Sequence, residues 1–382
     1  MKMRLAAKPA RGIKQTTQSM LWGVAAGRCE FSGCNKVLWR NEATNIEANI
    51  AQKAHIWSFS DDGPRGNEGI DASQINSIDN LMLVCHGCHT LIDNDKKGDV
   101  FSVDTLMTMK KSHEQRVELV TSIDECKQSQ VVLFGANIGE HGTALNFNDA
   151  ALAMMPDHYP SSKTPIELSL KNSQFSDDEE NYWLIESQSL EKSFGSLVRP
   201  ELQSGRCKHL SVFALAPQPL LIKFGSLLTD IPDVKLFQRH REPQTWKWKP
   251  SASPLILDVI PPSDESKTVA LNISLSASIS NDRIYNVLGR KVSIWCLTVA
   301  VPNRDLICTE SHLKDLRERL RLLLDEIKKK HGNDCVLHVF PAMPVTAAIE
   351  LGRVHMPKSD IRMQIYDQNW KTNGFVKTLN IS

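Results

Sequence analysis

The stretch "LMLVCHGCHTLID", from Leu81 to Asp93, decides the fold of the N-terminal part of the chain. It joins an apolar, strand-like run to a CxxC pair, two histidines and a final aspartate. Three interpretations fit these residues alone: a redox pair, a structural metal knuckle, or part of an active site. The upstream sequence decides between them, because a metal knuckle needs two further ligands.

A second cysteine pair, Cys29 and Cys34, lies upstream in "GRCEFSGCNK". Four thiolates in two close pairs suit a tetrahedral zinc ion, whereas a redox CxxC would not need the second pair. The alternative is four buried free cysteines. The chain has nine cysteines, an odd number, and looks cytosolic, so disulfides are not expected. We predict a structural Zn²⁺ that stabilises a small domain, with the ligands Cys29, Cys34, Cys85 and Cys88.

The composition is that of an ordinary globular protein, at 382 residues, 41% hydrophobic and 23% charged, and the length gives room for two or three domains. The formal net charge is only +1, so the chain as a whole has no strong positive field that would indicate nucleic-acid binding. Locally, Met1 to Arg28 holds six Lys/Arg and no acid, which is either a phosphate-binding arm or a solvated terminus. We find neither a long apolar run nor a signal peptide, and expect a bacterial cytoplasmic protein.

Three polar residues alternate with the cysteine pairs: His55 in "AQKAHIWSFSDDGPRGN", Asn80 in "SIDNLMLVC", and His89 after Cys88. This order resembles the HNH endonucleases, with their ββα-metal fold, over about Gly27 to Asp93. The resemblance implies that His55 is the general base and that Asn80 orients His55 or holds the hairpin. It also implies that His89 binds a catalytic divalent ion, Mg²⁺ or Mn²⁺.

Two neighbouring residues extend this predicted site, and one position departs from the family. Asp93 follows His89 at i+4, on the same helix face, and is the candidate second ligand for the divalent ion. Arg65 in "GPRG" either contacts a DNA phosphate or is an exposed arginine in a turn. Many HNH enzymes carry a metal-binding Asp or His before the base, but here that residue is Ala54, so the metal site depends more on His89 and Asp93.

The C-terminal half alternates strand-like and helical runs, which predicts a mostly parallel, doubly wound sheet. Its clearest helix is predicted from Ser311, as N-cap, to Gly332. A weak repeat links "VFALAPQPLLIKFGSLL" (212–228) to "VFPAMPVTAAIELGRV" (339–354), and we place Gly225 and Gly352 two positions out of register. The repeat predicts two similar halves, each with a ligand-binding loop after a central strand; the alternative is the general likeness of any two βα units.

The segments "LHVFPAMPVTAAIELGRV", "RHREPQTWKWKP" and "FALAPQPLLIKFG" resemble the SAVED domain, two fused CARF-like Rossmann halves that sense cyclic oligonucleotides. The resemblance spans roughly 176–382. We therefore expect an α+β zinc-knuckle ββα-metal (HNH) domain at 1–125, a linker or irregular segment at 126–175, and an α/β SAVED domain of two CARF-like Rossmann halves at 176–382.

A cyclic nucleotide offers phosphates and base faces, so its receptor needs cations, helix N-termini and flat apolar platforms. The alternative for each candidate is a core position or a surface charge; Trp246 and Trp248 alternate and share one face. The candidate ligand-binding residues are the cations Lys223, Arg239 and Arg304, the platforms Trp246, Trp248, Phe340, Pro341, Met343 and Pro344, and the loop residues Pro217, Gln218 and Thr346.

HNH followed by SAVED resembles the nuclease effectors of bacterial CBASS antiphage systems. The resemblance implies that a cyclic di- or trinucleotide drives the homo-oligomer to assemble and activates HNH against double-stranded DNA, with little sequence specificity and no membrane partner. Two alternatives stay open. One is a stand-alone HNH restriction endonuclease whose C-terminal half recognises DNA. The other is a non-catalytic, zinc-stabilised DNA-binding module, which the missing ligand at Ala54 favours.

Overall fold

The computed structural model describes residues 12–67, 69–136, 145–169, 179, 181–205, 208–369 and 371–382. The chain forms two compact units, Met1–Asp124 and Glu125–Ser382. Residues 1–11, which hold four of the six Lys/Arg of the basic N-terminal stretch, lie outside the described residues. Within the described ranges, no helix combines the length and the apolar character needed to cross a membrane.

The first unit is built around a hairpin followed directly by a helix. β1 and β2 are antiparallel, with His55 opposite Leu81 and Ala51 opposite Cys85, and the helix α2 starts at the next residue. This is the β-β-α order expected from the sequence. The elements of the unit are α1 (Gln15–Val24), β1 (Ala51–His55), β2 (Leu81–Cys85), α2 (His86–Asn94) and α3 (Val103–Thr121).

The strand β2 is the centre of the first unit's core. All five of its residues are buried, although among the described residues it pairs with β1 alone. A strand that is covered on both faces has apolar residues at every position, not only at every second one. This explains the continuous apolar sequence "LMLVC". The core is shared with α1 through Leu21, with α2 through Ile92 and with α3 through Leu106.

The second unit contains two sheets, and the first is entirely parallel. Its strand order is β4-β3-β6-β7, and β5 pairs with β3 further along. A π-helical turn, Phe194–Val198, joins two of its helices. The elements are β3 (Gln128–Gly135), α4 (Phe147–Met154), β4 (Tyr159–Pro160), β5 (Ile166–Ser169), α5 (Tyr182–Ser193), α6 (Arg199–Ser204), β6 (His209–Leu215), α7 (Gln218–Leu228) and β7 (Asp233–Phe237).

The segment 126–175 is not the linker or irregular stretch that the sequence suggested. It supplies the strands β3, β4 and β5 and the helix α4, and β3 lies inside the sheet beside β6. Seven of the eight β3 residues are buried. The Pro- and Ser-rich composition misled the prediction because it belongs to the short connections around β4, whereas the strand itself is "VVLFG". Residues 170–178 lie outside the described residues.

The second sheet has the order β13-β12-β11-β9-β10-β8, parallel in the middle and antiparallel at both edges. Its long helix α9 is capped by the Thr309 side chain, which accepts from the His312 N–H, and not by Ser311 as predicted. The elements are β8 (Asp258–Ile260), β9 (Val269–Ser274), α8 (Asn281–Leu288), β10 (Ser293–Thr298), α9 (Glu310–His331), β11 (Val336–Ala342), α10 (Val345–Val354), β12 (Arg362–Asn369) and β13 (Gly374–Ile381).

The helices α7 and α10 join the two halves through their glycines. Gly225 and Gly352 lie against each other, and each also faces a carbonyl of the opposite helix, from Ile349 and Ile222 respectively. Both contacts pair a glycine with the residue three positions before the other glycine. The predicted two-residue misregister was therefore wrong: Gly225 and Gly352 are equivalent positions of a repeat with a constant offset of 127 residues.

This repeat places the two halves around one shared edge. β6 ends and α7 begins after Pro217, and β11 ends and α10 begins after Pro344. Since the strands of both sheets lead into these helices at their carboxyl ends, the two loops lie where open α/β sheets bind ligands.

Candidate functional site

The four predicted zinc ligands converge on one point of the first unit. Their Sγ atoms all lie within 4.8 Å of one another, and the Cys34 and Cys85 sulfurs are 3.8 Å apart. Tetrahedral Zn–S bonds of about 2.3 Å place the sulfurs about 3.8 Å apart, so the spacing suits zinc. Disulfide sulfurs would be much closer, at about 2 Å. The Cys34 N–H donates to the Phe31 carbonyl, and Gly33 has a φ of 81°, which closes the turn between the first two cysteines.

Burial of these thiols acts against their ionisation. Burial raises the pKa of the Cys29 thiol to about 12, and burial raises the pKa of Cys88 as well. Burial also tends to raise the pKa of Cys85. Hydrogen bonds from the Cys88 backbone and from the neighbouring thiols outweigh this effect, so the pKa of Cys85 is lowered. Several buried thiolates are unstable without a positive charge between them, and a bound Zn²⁺ supplies that charge.

His55 is the last residue of β1 and is half-buried. Its Nε2 lies 3.0 Å from the Asn76 Oδ1, and its ring meets the edge of Phe59 at a centroid distance of 5.8 Å. Asn80 does not contact His55 by any hydrogen bond among the described residues. Its Oδ1 accepts from the Trp57 N–H at 2.7 Å, and its Nδ2 donates to the carbonyls of Trp57 and Ile75 at 3.0 and 2.9 Å.

These bonds use both hydrogens and the oxygen of the Asn80 amide, which is buried. Of the two roles that the sequence left open for Asn80, the geometry fits the holding of the hairpin. Asn80 ties the chain after β1 to the turn before β2, next to the pair formed by the last residue of β1, His55, and the first residue of β2, Leu81.

His89 and Asp93 lie on α2 as an i,i+4 pair. The His89 Nδ1 is 3.0 Å from an Asp93 carboxylate oxygen, and both side chains are accessible, at 28% and 54%. A nitrogen and an oxygen at that separation can both bind one octahedral ion, because ligands at about 2.1 Å and a right angle are about 3 Å apart. Ala54 is buried in the core of the unit, so β1 offers no ligand at that position.

Arg65 lies in the loop between the strands with a φ of 67°. Its Nε donates to the Ile56 carbonyl at 2.7 Å, and its Nη2 donates to the His55 carbonyl at 3.2 Å. A longer bond runs from Nη1 to the Ile92 carbonyl on α2. Burial lowers the pKa of the guanidinium. Arg65 thus joins the end of β1 to α2, and this arrangement fits a structural role better than a phosphate contact.

In the second unit a cavity of about 540 Å³ opens at the shared edge of the two halves. It is lined by residues of the loops after β6, β7, β9, β10 and β11 and of the last part of β12, and three arginines contribute to it. Six of the twelve predicted ligand-binding residues lie there: Pro217, Gln218, Arg239, Arg304, Met343 and Pro344.

Two glutamines of the first half bind backbone groups of the second half at this cavity. The Gln218 Oε1 accepts from the Met343 N–H at 3.1 Å. The Gln238 Oε1 accepts from the Thr346 N–H at 3.2 Å and from its hydroxyl at 2.9 Å. The cavity floor therefore consists of groups from both halves, and Thr346 is buried beneath it rather than exposed to a ligand.

The other five predicted residues also lie away from the cavity. Lys223, on α7, forms an ion pair with Glu191, and its Nζ lies 2.5 Å from the Glu191 Oε1. Trp246 is buried against Phe213, and Trp248 lines a different cavity. Phe340 is buried and stacks on Tyr366, and Pro341, next to it on β11, is buried too. The platform residues thus serve mainly as core.

Sequence reasoning missed several residues that line the cavity: Gln238, Arg241, Ser276, Asp305, Asp367 and Gln368. Arg241 and Gln238 flank the predicted Arg239 in "QRHRE", and Asp305 follows the predicted Arg304. These three residues could therefore have been found by including the sequence neighbours of the predicted arginines. Asp367 and Gln368 lie in the last part of β12, and only the sheet order shows that this strand ends at the same edge.

Comparisons with known proteins agree with this two-unit organisation. Residues 190–381, half of the chain, match the family model of SAVED, the SMODS-associated and fused to various effectors sensor domain. Residues 29–98 match the family model of an HNH endonuclease, HNH_2. No curated protein matches the chain.

Solved structures that resemble the chain include SAVED/CARF-domain containing Cap4 receptors. The Acinetobacter baumannii Cap4 with the cyclic trinucleotide 3′3′3′-cAAA is 12% identical, with a TM-score of 0.46, over 73% of this chain and 60% of that chain. The same receptor with 2′3′3′-cAAA is 14% identical, with a TM-score of 0.43, over 73% and 59%. The Moraxella osloensis Cap4 is 14% identical, with a TM-score of 0.38, over 77% and 60%.

The chain thus spans about 60% of the length of these Cap4 chains. The family models confirm the predicted fold class, in which a β-β-α unit with a cysteine cluster precedes an α/β unit of two halves. The chain belongs to the SAVED family and carries an HNH endonuclease domain at its N-terminal end.

Proposed function

We propose that this protein is a DNA endonuclease that a cyclic oligonucleotide activates, and that it acts as an antiphage effector in the bacterial cytoplasm. One observation carries the proposal: a single chain joins an HNH endonuclease domain to a SAVED sensor domain. A sensor fused to a nuclease is useful only if ligand binding changes the nuclease, and that requires the ligand to favour one state of the protein over another.

The nuclease chemistry is assigned to His55 as the general base. A water oxygen attacks the phosphorus of a DNA phosphodiester and passes its proton to the His55 ring. The bond between phosphorus and one sugar oxygen breaks, and that oxygen takes a proton from solvent. General-base catalysis of this kind contributes about 10²- to 10⁴-fold to the rate.

His89 and Asp93 are the residues that would hold the catalytic ion, Mg²⁺ or Mn²⁺. Two protein ligands leave positions for phosphate and water, which suits a hard cation in a phosphoryl-transfer site. When bound, the ion stabilises charge on the phosphate and the leaving oxygen. The four cysteines hold a separate, structural Zn²⁺.

The cavity of the second unit is assigned to the activator, a cyclic di- or trinucleotide. Arg239, Arg241 and Arg304 supply positive charge for phosphates. The Gln218 Nε2 can donate to base edges, and Met343 and Pro344 offer an apolar surface. Most of these groups are side chains from loops, so the cavity can adapt to the ring.

We further propose that ligand binding drives homo-oligomerisation and brings HNH domains together. Two sites that each cut one strand would then give double-strand breaks with little sequence specificity. Sedimentation of the full chain with and without the activating nucleotide tests this step; an unchanged mass during active cleavage would contradict it.

The deciding experiment is plasmid degradation by the full chain with Mg²⁺ or Mn²⁺, with and without a panel of cyclic di- and trinucleotides. Cleavage that needs one nucleotide supports the proposal and names the ligand. Cleavage without any nucleotide would favour a stand-alone restriction endonuclease instead. His55→Ala should abolish cleavage and leave nucleotide binding unchanged, and a variant that still degrades DNA would overturn the assignment of the base.

A further inference from the structure

The nucleolytic base has a polar neighbour that the HNH pattern does not assign. Asn76 lies 21 positions after His55 in the loop before β2, and its Oδ1 is 3.0 Å from the His55 Nε2. Its backbone is fixed by the turns around it: the Ser77 N–H donates to the Gln74 carbonyl, and the Asn80 N–H donates to the Ser77 carbonyl.

Asn80, the asparagine of the pattern, is not available to orient His55. Its oxygen accepts from the Trp57 N–H, and its nitrogen donates to two backbone carbonyls. One of those carbonyls belongs to Ile75, the residue before Asn76. The buried Asn80 therefore holds the loop, and the loop presents Asn76 to the base.

An amide oxygen only accepts hydrogen bonds, so a bond between the Asn76 Oδ1 and the His55 Nε2 requires a proton on Nε2. In the neutral ring the other nitrogen, Nδ1, then carries the lone pair. A base that must take a proton from water needs its free nitrogen fixed in one direction, and a hydrogen bond to the other nitrogen is the usual means.

We propose that Asn76 is the positioning residue of His55, which keeps the ring in the Nε2–H tautomer with Nδ1 directed to the attacking water. This role rests on the proposed nuclease function for its consequence in catalysis. The tautomer itself does not depend on that function, because it follows from the contact between the two side chains.

The first test is the tautomer of His55, measured by ¹⁵N chemical shifts of histidine rings in the full chain. His55→Gln identifies the signal by its loss. We expect the wild type to show mainly the Nε2–H form and Asn76→Ala to shift the signal towards a mixture. Asn76→Asp should keep the Nε2–H form, since a carboxylate also only accepts.

A His55 signal that is identical in the wild type and in Asn76→Ala would overturn the proposal, and so would an Nδ1–H form in the wild type. Asn49→Ala is the matched control, because its amide oxygen accepts from the Ala51 N–H at the start of β1 and should leave the tautomer unchanged. Thermal unfolding of each variant shows whether the fold is kept.

The second test is cleavage of plasmid DNA with Mn²⁺ and the cyclic nucleotide that activates the wild type. Asn76→Ala should lower kcat about 10- to 100-fold with little change in KM, because orientation of the base matters only in the reaction step. Asn76→Asp should have a kcat close to that of the wild type. If the wild type cleaves nothing with any nucleotide, the proposed function fails, while the tautomer measurement still decides the role of Asn76.

Discussion

Gly225 and Gly352 touch across the contact between α7 and α10. A Cβ built on Gly352 would lie 2.9 Å from the Gly225 Cα, and one on Gly225 would collide with the Ile349 carbonyl. Glycine is needed at both positions because backbone lies against backbone, and no side-chain movement can relieve a methyl group there. The two halves of the second unit are therefore joined by direct contact between the backbones of two helices.

This contact predicts that Gly225→Ala and Gly352→Ala destabilise the second unit. The added methyl forces the helices apart, which costs about 1–3 kcal/mol or more. Differential scanning calorimetry of the full chain should show a lower melting temperature for the second unit in both variants. Gly195→Ala is the control, since a Cβ there meets open space. Equal melting of the Gly225 and Gly195 variants would contradict the prediction.

The cysteine cluster predicts about one zinc ion per chain in the purified protein. Cys88→Ser should lose this zinc and destabilise the first unit, because binding of a structural zinc contributes directly to folding. Metal analysis by mass spectrometry and calorimetry measure the two effects. Cys126→Ser is the matched control, because Cys126 is exposed and lies in the second unit. Full zinc content in Cys88→Ser would contradict the assignment of the four cysteines as zinc ligands.

The stacked pair His158 and His209 predicts acid sensitivity of the second unit. Their rings are 3.9 Å apart, and burial lowers the pKa of His209 to about 4, with a smaller contribution from His158. The folded state therefore binds fewer protons than the unfolded chain between the ordinary histidine pKa of 6.5 and about 4. Stability is full above pH 6.5 and falls as the pH drops through this window.

His209→Asn removes the titrating group and should flatten this dependence. The slope should decrease by up to about 1.4 kcal/mol per pH unit between pH 6.5 and 4, the value for one proton. Calorimetry of the second unit at several pH values measures the slope. His158 also has a pKa lowered by burial, so part of the dependence should persist in the variant. An unchanged slope would show that His209 does not contribute.

The first unit could be predicted closely because its signals are local. The continuous apolar run of β2, the CxxC pair and the i,i+4 pair His89–Asp93 each follow from spacing along a few residues. Asn76 escaped notice because its partner His55 is 21 positions away and nothing in the intervening loop marks the pairing.

In the second unit the sequence predicted the two halves and the edge where the cavity lies, but only six of the fifteen residues that line the cavity. Aromatic residues were chosen as platforms, yet the large ones mostly fill the core: Trp246 packs on Phe213, and Phe340 stacks on Tyr366. A large apolar side chain gains more from burial than from a place in an open cavity. Polar residues at strand ends, such as Gln238 and Asp367, were the better signal.

The arginines of the cavity allow a direct test of the ligand site. Arg304 and Arg241 are exposed and line it from different loops. If each forms a charge-assisted hydrogen bond to a phosphate, its removal costs about 1.5–3 kcal/mol, or about 10- to 100-fold in affinity. Arg304→Ala and Arg241→Ala should therefore weaken binding of the activating cyclic nucleotide by that factor in calorimetric titration.

Arg362→Ala is the matched control, because Arg362 is exposed at the opposite end of β12, where that strand begins, and should bind the nucleotide as the wild type does. The loss should also be larger at low salt than at high salt, since the contact is ionic and partly exposed. If Arg304→Ala and Arg241→Ala bind as tightly as Arg362→Ala, the activator site lies elsewhere on the second unit. A loss in all three variants alike would instead indicate attraction by the general charge of the unit.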